Sequence, residues 1–262
     1  MIVMQDENRE YMLELLGKGS REQERGQFDY REIRIKKGVV PHAEGSAQVD
    51  LGSTKVLAGV KLVIGTPMQD KPNEGALATS AELLPLASPE YEMGPPSPEA
   101  IELARVVDRG IRAAEVVDMD ALFIEKDKVW NVYTDIYILN YDGNLFDAST
   151  LAATTALLSA RMPRLEGDEV IREGALEKLK TKNIVSSCTF AKLKAKLLLD
   201  SNAAEESIMD ARVTIANDER VVRAMQKGLS GSISFKDLEQ MEDVAFEKSK
   251  ELRSSIAKAL GE

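Results

Sequence analysis

Two groups of β-type sequence are each followed by a strongly patterned helix, and this order of elements restricts the chain to few fold classes. In the first half, short β-type runs and an alternating run at residues 129–139 come before an Ala- and Thr-rich helix predicted at 148–160. In the second half, four short runs between residues 184 and 225 come before a helix that Ser234 is predicted to cap. This grouping of strands and helices predicts an α+β protein.

The charged segment 166–182 lies between the two groups and is predicted to be a linker. It divides the chain into an N-terminal domain at 1–165, which starts with a short helix at 6–17, and a C-terminal domain at 183–262. Within the first domain, the sequence predicts long connections around one strand at 81–86 and a hairpin turn at 141–144.

The composition excludes several kinds of site. The chain has 34 basic and 44 acidic residues, one Cys and one His, for a formal charge of −10. These counts exclude an intrachain disulfide and a Cys/His zinc site. The net negative charge disfavours binding to nucleic acid, whose phosphates are also negative. Because Walker loops, dinucleotide glycine motifs and nucleophile elbows are also missing, we predict no cofactor and no metal. No apolar run approaches a membrane span of roughly 20 residues and no export signal is recognised, so we expect a cytoplasmic protein.

Isolated residues that could carry chemistry have simpler structural interpretations. His42 precedes a Gly-containing turn, and we expect it to be exposed or structural. Cys188 lies within a predicted strand and is expected to be a small buried residue. Trp130 and Tyr133 belong to the alternating run, where core packing is favoured over base stacking.

A row of arginines is the most distinctive basic feature. Residues 97–99, Ser-Pro-Glu, carry three agreeing signals for the start of a helix. Along this helix Arg105, Arg109 and Arg112 recur at i, i+4 and i+7, so they share one face. Two interpretations remain open: the guanidinium groups line a groove, or they form a solvated face whose charge Asp108 and nearby glutamates compensate.

Eight blocks spread over the chain carry a family resemblance. They are 28–34 (FDYREIR), 43–47 (AEGSA), 51–56 (LGSTKV), 72–75 (PNEG), 82–89 (ELLPLASP), 94–96 (GPP), 101–112 (IELARVVDRGIR) and 141–148 (YDGNLFDA). On these blocks the sequence resembles the RNase PH-like proteins and, within them, the non-catalytic ring subunits of archaeal exosomes.

The resemblance implies an RNase PH-like fold of the ribosomal-protein-S5-domain-2-like type, with two β–α layered halves. It also implies a heterohexameric ring, in which three copies of this subunit alternate with three copies of a catalytic RNase PH-like paralogue around a pore that admits single-stranded RNA. RNA-binding cap subunits would bind one face of the ring. In this setting Arg105, Arg109 and Arg112 would contact RNA backbone phosphates near the paralogue's site.

The phosphate clamp of the family is missing from this chain. Catalytic members resemble it at the Asp-Gly pair 142–143 but continue with Gly-Thr-Arg, where this chain has Asn144, Leu145 and Phe146. Asp147 follows, and we expect its carboxylate to repel an anion at this place.

An acidic pair of the catalytic members is also incomplete. Those members carry an Asp six residues before another Asp; Asp210 matches the second position, but the first falls on Ala204. Glu205 or Glu206 would take its place only in a shifted alignment.

These losses predict a non-catalytic structural and RNA-binding subunit of the exosome core ring, needed for 3′→5′ phosphorolytic RNA degradation and processing by the complex. The alternative is an autonomous phosphate-dependent 3′→5′ exoribonuclease that uses Glu205, Glu206 or Asp210 as its acid. A third function, a small-molecule enzyme on an unrelated α+β fold, is disfavoured because cofactor motifs are missing.

Overall fold

The structure is a computed structural model that describes residues 2–18, 20–21, 24–167, 169–174 and 176–261. The chain begins with helix α1 (Ile2–Gly17), which confirms the helix predicted at 6–17. Met12 and Leu16 of α1 pack with Leu193, Leu198 and Ile208 in a small hydrophobic cluster. Helix α1 therefore contacts the C-terminal half of the chain.

The first sheet has six strands. They are β1 (Ile33–Lys37), β2 (Gly45–Leu51), β3 (Thr54–Gly65), β4 (Ala76–Leu83), β5 (Phe123–Glu125) and β6 (Lys128–Asn140). Their order is β1-β2-β3-β6-β4, and β5 also pairs with β6. Strand β4 runs parallel to β6, and helix α2 (Pro98–Ala113) lies in the crossover that this pairing requires.

Helix α3 (Leu145–Ser159) lies between the first sheet and the second half of the chain, packed against β2 and β3. All residues from Phe146 to Leu157 are buried. The Ala-, Thr- and Leu-rich sequence allows this, because the hydroxyls of Thr150 and Thr155 donate to main-chain oxygens one turn back in the same helix.

Short strands occupy the segment predicted as a linker. Strand β7 (Arg161–Met162) pairs with β10 (Glu177–Lys178), and β8 (Arg164–Glu166) pairs with β9 (Glu169–Ile171). Main-chain hydrogen bonds from Leu179 to Ala160 and from Lys182 to Val116 attach the end of the segment to the first half.

The second sheet is antiparallel. It contains β11 (Ser186–Leu193), β12 (Lys196–Leu199), β13 (Ala211–Asn217) and β14 (Val222–Gly228), in the order β12-β11-β13-β14. A single turn of helix, α4 (Ala203–Glu206), follows β12, and the long helix α5 (Phe235–Leu260) ends the chain. Ser234 Oγ accepts a hydrogen bond from Asp237 N at 3.1 Å, which confirms the predicted cap of α5.

One hydrophobic core joins the two sheets. Helix α3 contacts β11 and α5 of the second half as well as β2 and β3 of the first sheet. Val49, Leu151, Phe190 and Leu252, which come from both halves, belong to the same buried cluster. The predicted α+β architecture with two β–α layers is confirmed. None of the helices in the described part of the chain is long and apolar enough to cross a membrane.

Three local predictions are wrong. The strand expected at 81–86 is β4 at Ala76–Leu83, which ends before Pro85, a residue without an N–H for further pairing. Residues 141–144 do not form a hairpin turn but lead from β6 into α3. Tyr133 is 40% exposed, because alternation along β6 places it on the face opposite to Trp130, which is in the core as predicted.

Candidate functional site

Helix α2 determines where the three arginines lie. Ser97 Oγ accepts a hydrogen bond from Ala100 N at 3.2 Å, and Pro98 is the first helical residue, as the sequence predicts. The apolar stripe of the helix is buried at Ala100, Ala104, Val107, Ile111 and Ala114. Burial of this stripe fixes the rotation of α2 about its axis, and the arginine side is left exposed.

Arg105, Arg109 and Arg112 line one groove between α2 and strand β4. Residues 77–79 of β4 form the facing wall, and the groove has a volume of about 640 Å³. All three arginines are exposed. The structure therefore brings the three predicted residues together on one open surface.

The three guanidinium groups differ in their partners. Arg112 Nε donates to Asp108 Oδ2 at 2.6 Å, and its Nη2 donates to the main-chain oxygen of Leu77. The other carboxylate oxygen of Asp108 accepts a hydrogen bond from Thr79 Oγ1. Charge compensation by Asp108 therefore applies to Arg112. Among the described residues no carboxylate pairs with Arg105 or Arg109.

Arg109 has a neutral partner instead. Its Nη1 donates to Oε1 of Gln226, on strand β14, at 2.8 Å. Arg105 makes no hydrogen bond within the ranges that the structure covers. Two of the three arginines thus keep their full positive charge at the groove, which suits polyanionic ligands.

The N-terminus of α3 is already occupied by a carboxylate of the chain itself. Asn144 has left-handed backbone geometry (φ 53°), and its N–H donates to Glu206 Oε1 at 2.8 Å. Tyr141 donates its hydroxyl to the other oxygen of Glu206 at 2.7 Å. Burial raises the pKa of Glu206, while the hydrogen bonds from Asn144 and Tyr141 act in the opposite direction. This helix end, which would otherwise attract an anion, holds an internal one.

The side chains that replace the phosphate clamp face the protein. Phe146 is buried and Leu145 is partly buried against the hydrophobic core, and the guanidinium of Arg212 lies 4.2 Å from the centre of the Phe146 ring. Asn144 is fully buried and donates through Nδ2 to Asp147 and Asp200, at 2.9 and 2.8 Å. Asn144, Leu145 and Phe146 therefore offer no side chain that could bind phosphate.

Asp147 does not point toward a bound anion, contrary to the sequence-based expectation. It is fully buried and accepts hydrogen bonds from Tyr30 Oη, at 2.8 Å, and from the main-chain N–H of Thr189, at 3.0 Å. Burial raises the pKa of Asp147 to about 7, although the hydrogen bonds from Asn144, Thr189 and Tyr30 lower it. The carboxylate at the helix end is that of Glu206.

A buried ion-pair cluster supports this end of α3. Arg31 binds both oxygens of Asp200 through Nε and Nη2, at 2.9 and 2.7 Å, and Arg21 binds both oxygens of Glu205, at 2.8 and 2.6 Å. Burial alone would raise the pKa of Asp200, but the hydrogen bonds and charge of Arg31 hold it below its usual value. The two bidentate pairs join the segment before β1 to Asp200, directly after β12, and to Glu205, on α4.

Sequence reasoning missed this cluster. Arg31 lies within the first of the family blocks, but no pattern connects it to Asp200, 169 positions later. Burial is the property that makes these residues important, and the chain carries many surface Arg and Asp residues from which they cannot be distinguished by spacing.

The candidate acids lie in places unsuited to a shared catalytic pair. Ala204, at the position where the catalytic members have an Asp, is exposed on α4. Of the two acids that follow it, Glu205 is bound to Arg21 and Glu206 is bound to Asn144. Asp210 accepts a main-chain hydrogen bond from Lys194 at 2.6 Å. Over the described residues no group of three His, Cys, Asp or Glu side chains could hold a metal ion. His42 is exposed and Cys188 is buried, as predicted.

Comparisons with known proteins agree with these observations. The family described as "3′ exoribonuclease family, domain 1" matches residues 29–163, and its domain 2 matches residues 183–248. The chain is 42% identical over 259 residues to the exosome complex component Rrp42 of Thermococcus gammatolerans, covering 97% of this chain and 95% of the relative. It is 44% identical over 260 residues to Rrp42 of Aeropyrum pernix, covering 96% and 94%. Among solved structures it is similar to a chain of an Archaeoglobus fulgidus exosome with RNA bound to the active site. The TM-score is 0.91, the sequence identity is 40%, and the match covers 96% of this chain and 98% of that chain.

Proposed function

Because this chain belongs to the RNase PH family of 3′ exoribonucleases, we propose that it is a structural and RNA-binding subunit of an exosome core that does not itself cleave RNA. It alternates, three copies with three, with a catalytic RNase PH-like paralogue in a cytoplasmic ring, and it supports 3′→5′ phosphorolytic RNA degradation by the complex. RNA-binding cap subunits bind one face of the ring.

The internal carboxylate at α3 is the observation that carries the non-catalytic part of the proposal. Phosphorolysis needs inorganic phosphate beside the scissile 3′ linkage, held by main-chain N–H groups and a guanidinium. Here the N–H of Asn144 is bound to Glu206 at 2.8 Å. In its ionised form a carboxylate about 4 Å from a phosphate charge opposes binding by about 4 kcal/mol at an effective dielectric constant of 20.

The position of Ala204 supports the same conclusion. It is exposed at the start of α4 and brings no acid where the catalytic members have one. Glu205, its neighbour, is 2% exposed and bound by Arg21. Moving Glu205 toward a substrate would leave the buried Arg21 without its bidentate carboxylate partner, which is strongly destabilising.

The groove of α2 supports the RNA-binding part of the proposal. Arg105, Arg109 and Arg112 are exposed along one wall, and the arrangement fits a polyanionic backbone without selecting bases. The similarity of the chain to part of an exosome with RNA bound, over 96% of its length, agrees with this assignment.

Phosphate-dependent RNA degradation by defined assemblies tests the proposal. The purified chain is incubated with single-stranded poly(A) and inorganic phosphate, alone and after assembly with the catalytic paralogue, and released nucleoside diphosphates are measured. We expect no release by the isolated chain and processive release by the assembly.

A matched control assembly contains the same chain with a paralogue whose catalytic carboxylate is replaced, and it should release nothing. Release by the isolated chain would contradict the proposal and favour the autonomous exoribonuclease. No release from any assembly would contradict the ring function.

A further inference from the structure

We infer that Gln226 is a positioning residue for Arg109: it orients the guanidinium at the groove of α2 without neutralising it, so that Arg109 is prepared to bind a backbone phosphate of single-stranded RNA. The inference rests on the proposed function and adds a residue from the C-terminal half to the RNA-contacting surface.

The fold brings Gln226 to this place from the second sheet. Strand β14 is the last strand of that sheet, pairs with β13 through Gln226 opposite Thr214, and contacts helix α2. Gln226 and Arg109 are 117 positions apart in the sequence, and their hydrogen bond measures 2.8 Å. The amide nitrogen of Gln226 is directed to the carbonyl oxygen of Lys227 at 3.4 Å, which leaves its oxygen to accept from Arg109.

The neutral charge of Gln226 distinguishes Arg109 from the other two arginines of the groove. Arg112 is held in place, but Asp108 offsets its charge. Arg105 keeps its charge, but no described residue holds its side chain by a hydrogen bond. Arg109 alone combines a fixed guanidinium with an uncompensated positive charge, and one Nη1 hydrogen bond leaves its remaining N–H groups free for phosphate oxygens.

Fixing a long side chain before binding reduces the entropy that binding must otherwise remove. Ordering one rotamer-rich side chain at an interface weakens affinity by about twofold to tenfold. Because Gln226 carries no charge, removing its acceptor should change affinity without changing how many counterions RNA binding releases. Arg109 itself should change both.

A double-mutant cycle in the assembled complex tests the inference. The variants are Q226M, which keeps the length of the side chain but has no acceptor, R109Q, and the combination of both. Affinity for a single-stranded oligoadenylate is measured at several salt concentrations. We expect Q226M to weaken binding about threefold with an unchanged salt dependence. R109Q should weaken it further with a shallower salt dependence, the log–log slope falling by about 0.7 for each phosphate that the variant no longer neutralises.

The combined variant should bind like R109Q alone, because Gln226 acts only through Arg109. Q240M, at an exposed position of α5, is the matched control and should bind like the wild type. If R109Q binds RNA normally, the RNA contact in the proposed function is wrong. If R109Q weakens binding but Q226M does not, or if the two effects add, the positioning role of Gln226 is wrong while the RNA contact stands.

Discussion

Two neighbouring glutamates show how much depends on single residues. Glu205 and Glu206 are adjacent on α4, and consecutive helical residues point about 100° apart. Glu205 therefore reaches Arg21, while Glu206 reaches the N–H of Asn144. From the sequence, either glutamate could replace the missing acid at position 204. The rotation of α4 about its axis decides which protein groups each side chain contacts, and the sequence does not show that rotation.

The pH dependence of stability should report the buried Asp147. Its pKa is raised from 3.8 to about 7, so between these values the folded state holds a proton that the unfolded state has lost. The contribution of Asp147 to stability is therefore fully present below about pH 4, is lost as the pH rises toward 7, and is constant above it. The full effect is on the order of 4 kcal/mol, since each unit of pKa shift corresponds to about 1.36 kcal/mol.

Urea unfolding of the wild type and of D147N between pH 4.5 and 8 measures this effect. The difference in the free energy of unfolding, wild type minus D147N, should decrease as the pH rises. Taking the difference removes the contributions of Asp200 and Glu206, which also titrate abnormally but are present in both proteins. A difference that stays constant or increases with pH would show that Asp147 is ionised throughout this range.

At the scale of elements, the predictions that succeeded rest on local chemistry. The cap at Ser97, the cap at Ser234 and the alternation along β6 depend on residues a few positions apart, and the structure confirms all three. The arginines of α2 were placed on one face for the same reason.

The errors arose where distant partners decide the structure. Strand β4 is set by parallel pairing with β6, which the mostly small residues at 76–81 do not indicate. The Asp-Gly pair at 142–143 is typical of a hairpin, but Thr54 Oγ1 accepts from the N–H of Asp142 and donates to the oxygen of Gly143. These two contacts, with the hydrogen bond from Asn144 to Glu206, direct the chain into α3 instead.

Close packing of α3 on β2 gives a prediction for two glycines. A Cβ added to Gly45 would overlap the carbonyl oxygen of Ala156 and lie 2.7 Å from the Cα of Ala160. Both obstacles are backbone atoms that cannot rotate away, so G45A should lower the free energy of unfolding by about 3 kcal/mol. Gly59, on the neighbouring strand β3, has no atom within 4 Å of the added Cβ.

Urea unfolding curves of both variants measure the contrast. G59A should stay within about 0.5 kcal/mol of the wild type, since it adds a methyl group to open space. Equal stabilities of G45A and G59A would mean that α3 does not pack closely against β2.

Charge is distributed unevenly over the whole molecule. The chain carries a net charge of −10, which disfavours general association with RNA. The groove of α2 departs from that average, because three arginines face one aspartate there. The acidic remainder of the surface repels RNA from other sites, so a net charge computed from composition does not exclude a local RNA contact.

The two halves share one core, and the chain offers a probe for each half. Trp130, the only Trp, is buried in β6 of the first sheet, and Cys188, the only Cys, is buried in β11 of the second. Burial raises the pKa of the Cys188 thiol to about 12, so a thiol reagent at pH 8 modifies it only after unfolding.

Because α3 packs on both sheets, loss of either sheet exposes the same helix, and the two probes should give the same midpoint in a urea titration. Trp fluorescence and pulsed labelling of Cys188 measure this. L151A, which truncates a buried residue of α3, is a second test: it should lower both midpoints together and reduce the free energy of unfolding by about 2–5 kcal/mol. Two separate midpoints would instead assign residues 1–165 and 183–262 to domains that unfold independently, and the shared core would then contribute little to the stability of either.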